Sequence, residues 1–274
     1  MIRITSLHIY PVKSMAGIAL GQAELDEFGL CYDRAWMLTD MQGVFITQRE
    51  FPVLARFRPA IDGGGLRIAT PQGDTVTVPL EYDAERRRQV RVWSSEVDAH
   101  DEGDGVARVL SDAIGTPCRL VRMVRDFGRR VNPQRAVNDD RVHFGDGYPL
   151  HLMSMASLNE LNSRLESPAP VNRFRANIIV AGSEKTLEPY EEDTWLTCSI
   201  GGMMFDCVKK TSRCVITTID QETAAQGKEP LRTLARYRTE ANNVNMGVYL
   251  IHRQKHGRLS AGDTLEVLTR QPAL

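Results

Sequence analysis

Apolar and polar residues alternate along most of the first half of the chain, which is the pattern of half-buried β-strands. The opening strand changes phase near Ser6, which predicts a β-bulge, and Pro11 ends it. Further alternating or β-branched runs lie at residues 35–39, 44–47, 66–69, 75–78 and 90–93. The first half is therefore predicted to be mostly β.

Two helices interrupt this pattern. The clearer one begins at Asp104, a residue suited to an N-cap, carries an apolar stripe on one face and ends at Gly115. The second is predicted from about Ser154 to Leu165, where Ser157 and Glu160 have the spacing of a capping box.

Strands dominate the second half as well. Apolar alternation predicts them at residues 177–181, 196–200, 203–208, 214–219, 248–251 and 264–268, with a short helix around 230–237. Between them and the first half, the polar stretch from Arg122 to Phe144 has no sustained apolar period and predicts a domain junction or a long loop. This stretch is basic through Arg125, Arg129, Arg130, Arg135 and Arg141.

The fold class predicted from these elements is mainly β (α+β), with one domain at residues 1–121 and a second at 122–274. The composition fits an ordinary globular protein, since 42% of residues are hydrophobic, 25% are charged and the formal net charge is -1. No global attraction to nucleic acid is expected. The first residues lack the pattern of a signal peptide, and no apolar run approaches roughly 18 residues, so we expect a cytoplasmic protein without a membrane partner.

One of the five cysteines has neighbours that suggest chemistry. Their odd number and wide spacing argue against a disulfide framework. Cys214 follows Lys209, Lys210 and Arg213, and these cations are expected to favour the thiolate that a soft metal or a nucleophilic role needs. The alternative is a small buried residue at the start of a strand.

Two more polar clusters stand at predicted strand ends. Arg173, Arg175 and Asn177 suit capture of a phosphate or a carboxylate. The loop with Lys13 and Ser14 adds an ammonium and a hydroxyl group, and Arg34 comes at the head of a later strand. Each cluster alone could be solvated surface charge, but together with one thiol they describe a pocket for an anionic ligand that carries a metal.

In combination these motifs resemble the MOSC family, with closest similarity to its bacterial YcbX type and to the mitochondrial amidoxime reducing component. They keep the family's order and cover nearly the whole chain. The four motifs are Tyr10-Pro-Val-Lys-Ser14, Asp33-Arg-Ala-Trp36, Phe174-Arg-Ala-Asn-Ile178 and Ser212-Arg-Cys-Val-Ile-Thr-Thr-Ile-Asp220.

The resemblance implies a MOSC N-terminal β-rich domain packed on a MOSC β-barrel, with molybdenum–molybdopterin in the cleft between them. It implies that Cys214 is the metal ligand and a catalytic residue. It makes Asp146 a candidate for a supporting or proton-handling role, with backbone contacts from Gly147 and Tyr148. The other implied cofactor contacts are Lys13, Ser14, Arg34, Arg175, Asn177, Ser212 and Arg213.

The activity implied by the resemblance is reduction of N-hydroxylated substrates such as hydroxylamines, amidoximes and N-hydroxylated bases. Some members carry a C-terminal ferredoxin domain with a Cys-x4-Cys-x2-Cys pattern. This sequence lacks that pattern, so electrons are expected from a separate ferredoxin or flavin reductase type of partner. The alternatives are a sulfur carrier with a persulfide on Cys214 and a cofactor-storage protein without turnover. The resemblance also implies pyridoxal phosphate binding, which is associated with domains of this family.

Overall fold

A computed structural model describes residues 1–82, 85–124, 128–183 and 185–271, so Arg125 of the basic stretch lies outside the described residues. The helices of this part are α1 (Asp104–Ile114), α2 (Met155–Asn162) and α3 (Leu231–Ala235). The strands are β1 (Ile2–Ile9), β2 (Ile18–Leu20), β3 (Gln22–Asp26), β4 (Gly29–Leu30), β5 (Trp36–Thr39), β6 (Arg58–Asp62), β7 (Gly65–Ala69), β8 (Thr75–Pro79), β9 (Arg87–Val92), β10 (Ser95–Asp101), β11 (Arg119–Met123), β12 (Arg129–Arg130), β13 (Arg141–Val142), β14 (Leu150–Ser154), β15 (Ile178–Ala181), β16 (Trp195–Ile200), β17 (Met203–Ser212), β18 (Thr239–Glu240), β19 (Asn243–His252), β20 (Gly257–Ser260) and β21 (Thr264–Arg270).

Seven strands form a closed barrel in the order β14, β15, β1, β21, β16, β17 and β19, and β19 pairs back with β14. Strand directions cannot alternate around a ring with an odd number of members. The β14–β15 pair is accordingly parallel, whereas the other six pairs are antiparallel. Inward-facing side chains such as Leu7, Phe205 and Leu250 fill the barrel.

The first half supplies a four-stranded sheet, β5-β11-β10-β9, and a three-stranded meander, β6-β7-β8. Helix α1 packs against them, and Trp36, Phe57, Leu110 and Leu120 lie in their shared core. Strand β1 opens the first half but belongs to the barrel, so the first half contributes one strand to a ring whose other six strands come from the second half. The division at residues 121 and 122 stays a prediction.

The mainly β architecture is confirmed, and several local predictions agree with it. The register of β1 against β15 shifts between Ile4 and Ser6, which is the bulge expected there. Helix α1 ends at Gly115, which takes the left-handed conformation with φ 82°. Its N-cap is Gly103 rather than Asp104, because the helical turn already includes Asp104.

Other local predictions are wrong. The run at 44–47 makes isolated bridges, not a strand, and the run at 214–219 is a 3-10 turn, Val215–Thr218. In α2 the N-cap is Ser154, whose oxygen accepts from the backbone N–H of Ser157, so the expected capping box does not form. Glu160 bonds to Arg164 instead, at 2.7 Å.

In the described part of the polar stretch, β11 ends at Met123 and the short β12–β13 pair follows. The rest of its described residues are loop. No helix in the described part of the chain is long and apolar enough to span a membrane.

Candidate functional site

A cleft lies where the open end of the barrel meets the first half of the chain, and it brings ten of the eleven predicted site residues together. Gly147 is absent from its lining, although Asp146 and Tyr148 on either side take part. The ten residues are Lys13, Ser14, Arg34, Asp146, Tyr148, Arg175, Asn177, Ser212, Arg213 and Cys214.

Strand ends and tight turns carry these side chains. The loop after β1 is fixed to the head of β5 by the bond from the Lys13 N–H to the carbonyl of Trp36, at 2.8 Å. Ser14, Arg34 and Arg175 all have positive φ values, of 70°, 49° and 53°. Non-glycine residues rarely take this conformation, and where they do it is often at a functional site.

Lys13 is buried and forms an ion pair with Asp146. Its Nζ lies 2.7 Å from Oδ1 of Asp146 and donates to the carbonyl of Phe144 at 3.0 Å. Burial lowers the pKa of Lys13 despite this partner. Desolvation in the cleft would raise the pKa of Asp146, but Lys13 and the nearby guanidinium groups lower it far below its usual range. Asp146 is therefore a carboxylate at neutral pH.

Two guanidinium groups flank the buried ring of Tyr10. The central carbon of Arg34 lies 4.5 Å from the ring centroid, and that of Arg175 lies 4.3 Å away. Arg34 donates to Asp33, to Oδ1 of Asn177 at 3.0 Å and to the carbonyl of Arg175 at 2.9 Å. Burial lowers the pKa of Arg175 to about 10. The arginines are thus held rigidly before any ligand arrives.

Cys214 stands at the N-cap of the 3-10 turn that follows β17. Its carbonyl accepts from the N–H of Thr217 at 3.1 Å, and its side chain is partly exposed to the cleft. Arg213 is anchored by a bond to the carbonyl of Phe174 at 2.7 Å, but its buried Nε has no partner in the described part of the chain. Burial lowers the pKa of Arg213. An unpartnered donor beside a thiol leaves hydrogen-bonding capacity for a ligand.

The sequence analysis missed several cleft residues, among them Arg49, His143, His151 and Tyr249. Arg49 is the most informative, because its Nη2 lies 3.5 Å from the sulfur of Cys214. The signal for it was the polar run that follows Ile46 at the end of an apolar segment.

The lysines predicted to surround Cys214 lie elsewhere. Lys209 and Lys210 belong to β17 and do not line the cleft. Lys210 pairs with Glu240 at 2.8 Å instead.

The charges of the cleft suit an anionic ligand that binds a soft metal. Two carboxylates, Asp33 and Asp146, face five cationic side chains. A phosphate group needs guanidinium, ammonium and hydroxyl donors, and a soft metal needs a thiolate. The residues present therefore fit a phosphate-bearing pterin with a metal at Cys214. The five cations are Lys13, Arg34, Arg49, Arg175 and Arg213.

Comparison with known proteins gives two family matches. The MOSC N-terminal beta barrel domain matches residues 1–117, and the MOSC domain matches residues 139–266. Mitochondrial amidoxime-reducing component 1 of Danio rerio is 32% identical over 97% of this chain and 85% of its own length. The component 2 protein of Rattus norvegicus is 32% identical over 86% and 72%.

A second group of relatives carries a different name. The molybdenum cofactor sulfurase of Danio rerio is 32% identical over 91% of this chain, which corresponds to 32% of the sulfurase. The chain thus spans about a third of the length of the sulfurases that it matches.

Proposed function

Because this chain belongs to the MOSC family, we propose that it binds a molybdenum–pterin cofactor in the cleft and reduces N-hydroxylated compounds. The observation that carries the proposal is the position of Cys214, a partly exposed thiol in a cleft with excess positive charge. Similarity to amidoxime-reducing components over most of their length supports the same reading.

The cations of both halves would hold the cofactor. Lys13, Arg175 and Arg213 present donors for the phosphate and Cys214 presents the thiolate for the metal. Arg34 and Asn177 have most of their polar atoms engaged with protein groups, so their contribution is to position Arg175 and the backbone around it. When bound, the cofactor would supply a metal centre that exchanges the two electrons needed to cleave an N–O bond.

Cleavage of an N–O bond to an amine and water also consumes two protons. Asp146 is poorly suited to deliver them, because the Lys13 ammonium keeps its pKa far below neutral. In this proposal Asp146 holds the Lys13 ammonium in place for the phosphate. Both protons come from solvent that enters the open cleft.

The electrons would come from a separate ferredoxin or flavin reductase type of partner. A second candidate function is supported by the sulfurase relatives, whose identity to this chain equals that of the amidoxime-reducing components. In that case Cys214 would carry a persulfide for sulfuration of the cofactor instead of ligating its metal.

Molybdenum quantification and pterin detection on the purified protein test the proposal first. The second measurement is benzamidoxime reduction with an artificial reductant. We expect about one molybdenum per chain and measurable turnover, and we expect Cys214→Ala to lose turnover and most of its molybdenum. Cys31→Ala is the matched control, because Cys31 lies outside the cleft, and it should retain both.

Full activity in Cys214→Ala would overturn the assignment of the metal ligand. Molybdenum-free protein with a persulfide on Cys214, detected by mass spectrometry, would favour the sulfuration function instead.

A further inference from the structure

Arg49 reaches Cys214 from the first half of the chain, although 165 positions separate them. Its Nη2 lies 3.5 Å from the sulfur, and the residue lines the cleft. Among the ion pairs formed by the described residues, none includes Arg49. Its positive charge therefore acts within the cleft, on the sulfur at 3.5 Å and on the Asp146 carboxylate, whose pKa it helps to lower.

Trp93 holds this guanidinium group in place. The central carbon of Arg49 lies 4.9 Å from the Trp93 ring centroid, within the range of a cation–π contact. Phe45 supports the ring from 4.9 Å, and Nζ of Lys13 lies 5.3 Å from its centroid. Trp93 thus contacts two of the five cations.

The backbone at Trp93 gives an independent reason to expect a role. Trp93 lies in the turn between β9 and β10 with φ 54°, and 39% of its surface is exposed. The two-residue hairpin turn requires a positive φ at its first residue, and a bulky tryptophan stands there although glycine is favoured at such a position. Within the described residues the ring belongs to none of the apolar cores, and it contacts Lys13 and Arg49 instead.

We propose that Arg49 is an anion-binding residue, which holds a negatively charged or negatively polarised oxygen beside the Cys214 sulfur, and that Trp93 is its positioning residue. A guanidinium group with free donors and no carboxylate partner binds such an oxygen through charge-assisted hydrogen bonds. The identification of this oxygen with that of the substrate N–O bond rests on the proposed function. The effect of the Arg49 charge on the Cys214 sulfur is independent of the proposed function.

Competition between iodoacetate and iodoacetamide tests the proposal on cofactor-free, full-length protein from a host that does not make the pterin. Both reagents alkylate the same thiolate, so the ratio of their rates cancels the thiolate fraction and reports the charge around the sulfur. Mass spectrometry of the Cys214 peptide gives the ratio. Thermal unfolding of each variant confirms that it is folded.

We expect Arg49→Gln to lower the iodoacetate to iodoacetamide ratio about fivefold or more and Arg49→Lys to keep most of it. Trp93→Ala should lower the iodoacetate to iodoacetamide ratio about twofold, whereas the ratio in Trp93→Phe should stay near that of the wild type. Arg236→Gln, which removes an exposed arginine that does not line the cleft, should leave the ratio unchanged.

An unchanged ratio at Cys214 in Arg49→Gln overturns the anion-binding role, and an unchanged ratio in Trp93→Ala overturns the positioning role. On cofactor-loaded enzyme, Arg49→Gln should reduce kcat/KM for benzamidoxime about tenfold or more. A wild-type protein without reductase activity would overturn the proposed function. The alkylation ratio would still test the anion-binding role of Arg49.

Discussion

Three polar residues of the cleft, Ser14, Arg34 and Arg175, have a left-handed backbone. This conformation costs on the order of 1 kcal/mol or more for each residue and persists only where the surroundings enforce it. The bonds of Arg34 to Asn177 and of Arg175 to the carbonyl of Met15, at 2.7 Å, supply that enforcement. The cleft is thus shaped by the folded protein and not by a ligand.

At the residue scale, Asn177→Ala should destabilise the protein by roughly 3 kcal/mol. Asn177 is buried, accepts from Arg34 and from the N–H of His151, and donates to the carbonyl of His8 at 3.1 Å. The alanine variant leaves buried polar groups without partners. Urea denaturation measures the loss of unfolding free energy. The control is Asn243→Ala, at an exposed position, whose free energy of unfolding should change by less than about 0.5 kcal/mol. Equal shifts in both variants would contradict this account of Asn177.

The site residues could be predicted to the extent that they stand in short motifs with visible chemistry. Cys214, Arg175 and Lys13 were found in that way, and the structure brings them to one cleft. Arg49 was not found, because its contact joins two distant segments and no local pattern records it. Lys210 was misplaced for the opposite reason, since proximity in sequence does not determine which face of a strand a side chain occupies.

At the scale of elements, long alternating runs were predictable, whereas the short segments beside the cleft were not. The apolar residues of 214–219 suggested a strand, yet they form a 3-10 turn that exposes Cys214 and Val215. A local hydrogen bond takes the place of strand pairing here, because the carbonyl of Cys214 accepts from the N–H of Thr217 in its own turn. The strands from 95–101 and 119–123 escaped prediction because charged residues interrupt them.

Gly247 shows how one strand irregularity supports the cleft. The register between β17 and β19 shifts between Lys210 and Ser212, immediately before the Cys214 turn. Gly247 lies opposite this shift with φ 81°, and a Cβ atom there would stand 2.5 Å from Nε2 of His151 and 2.7 Å from the carbonyl of Leu152. A side chain cannot enter without displacing backbone.

Gly247→Ala should therefore lower the free energy of unfolding by about 2 kcal/mol or more and reduce cofactor retention. Gly105→Ala is the matched control in α1, where a Cβ would have no atom within 4 Å and φ is not positive. We expect it to stabilise the protein by roughly 0.5 kcal/mol. Chemical denaturation of both variants gives the comparison. An unchanged free energy of unfolding in Gly247→Ala would show that the backbone of β19 can move to accommodate the methyl group.

At the scale of the whole molecule, buried histidines make stability depend on pH. Burial lowers the pKa of His252 to about 4, and burial does the same for His143. The unfolded chain binds protons at these side chains near pH 6.5, before the folded protein does. The free energy of unfolding should therefore fall as the pH falls from 6.5 towards 4, by up to about 1.4 kcal/mol for each unit of pKa difference.

Urea denaturation between pH 6.5 and 5 measures this slope before most carboxylates titrate. His252→Gln should flatten it, since glutamine can still donate to the carbonyl of Asp26, which accepts from Nε2 at 2.6 Å. His256→Gln, at an exposed position, should leave the slope unchanged. A variant of His252 with the wild-type slope would assign the pH dependence to other groups.

Strand β1 sits in the barrel between β15 and β21, with Ile2 opposite Leu265. During synthesis the first strand leaves the ribosome long before its second neighbour exists. The ring cannot close until β21 has emerged, and two barrel edges stay open until then. Loop closure over such a distance is slow, and unpaired strand edges favour aggregation. We therefore expect chaperone demand during expression to depend on the delay before residue 265 appears.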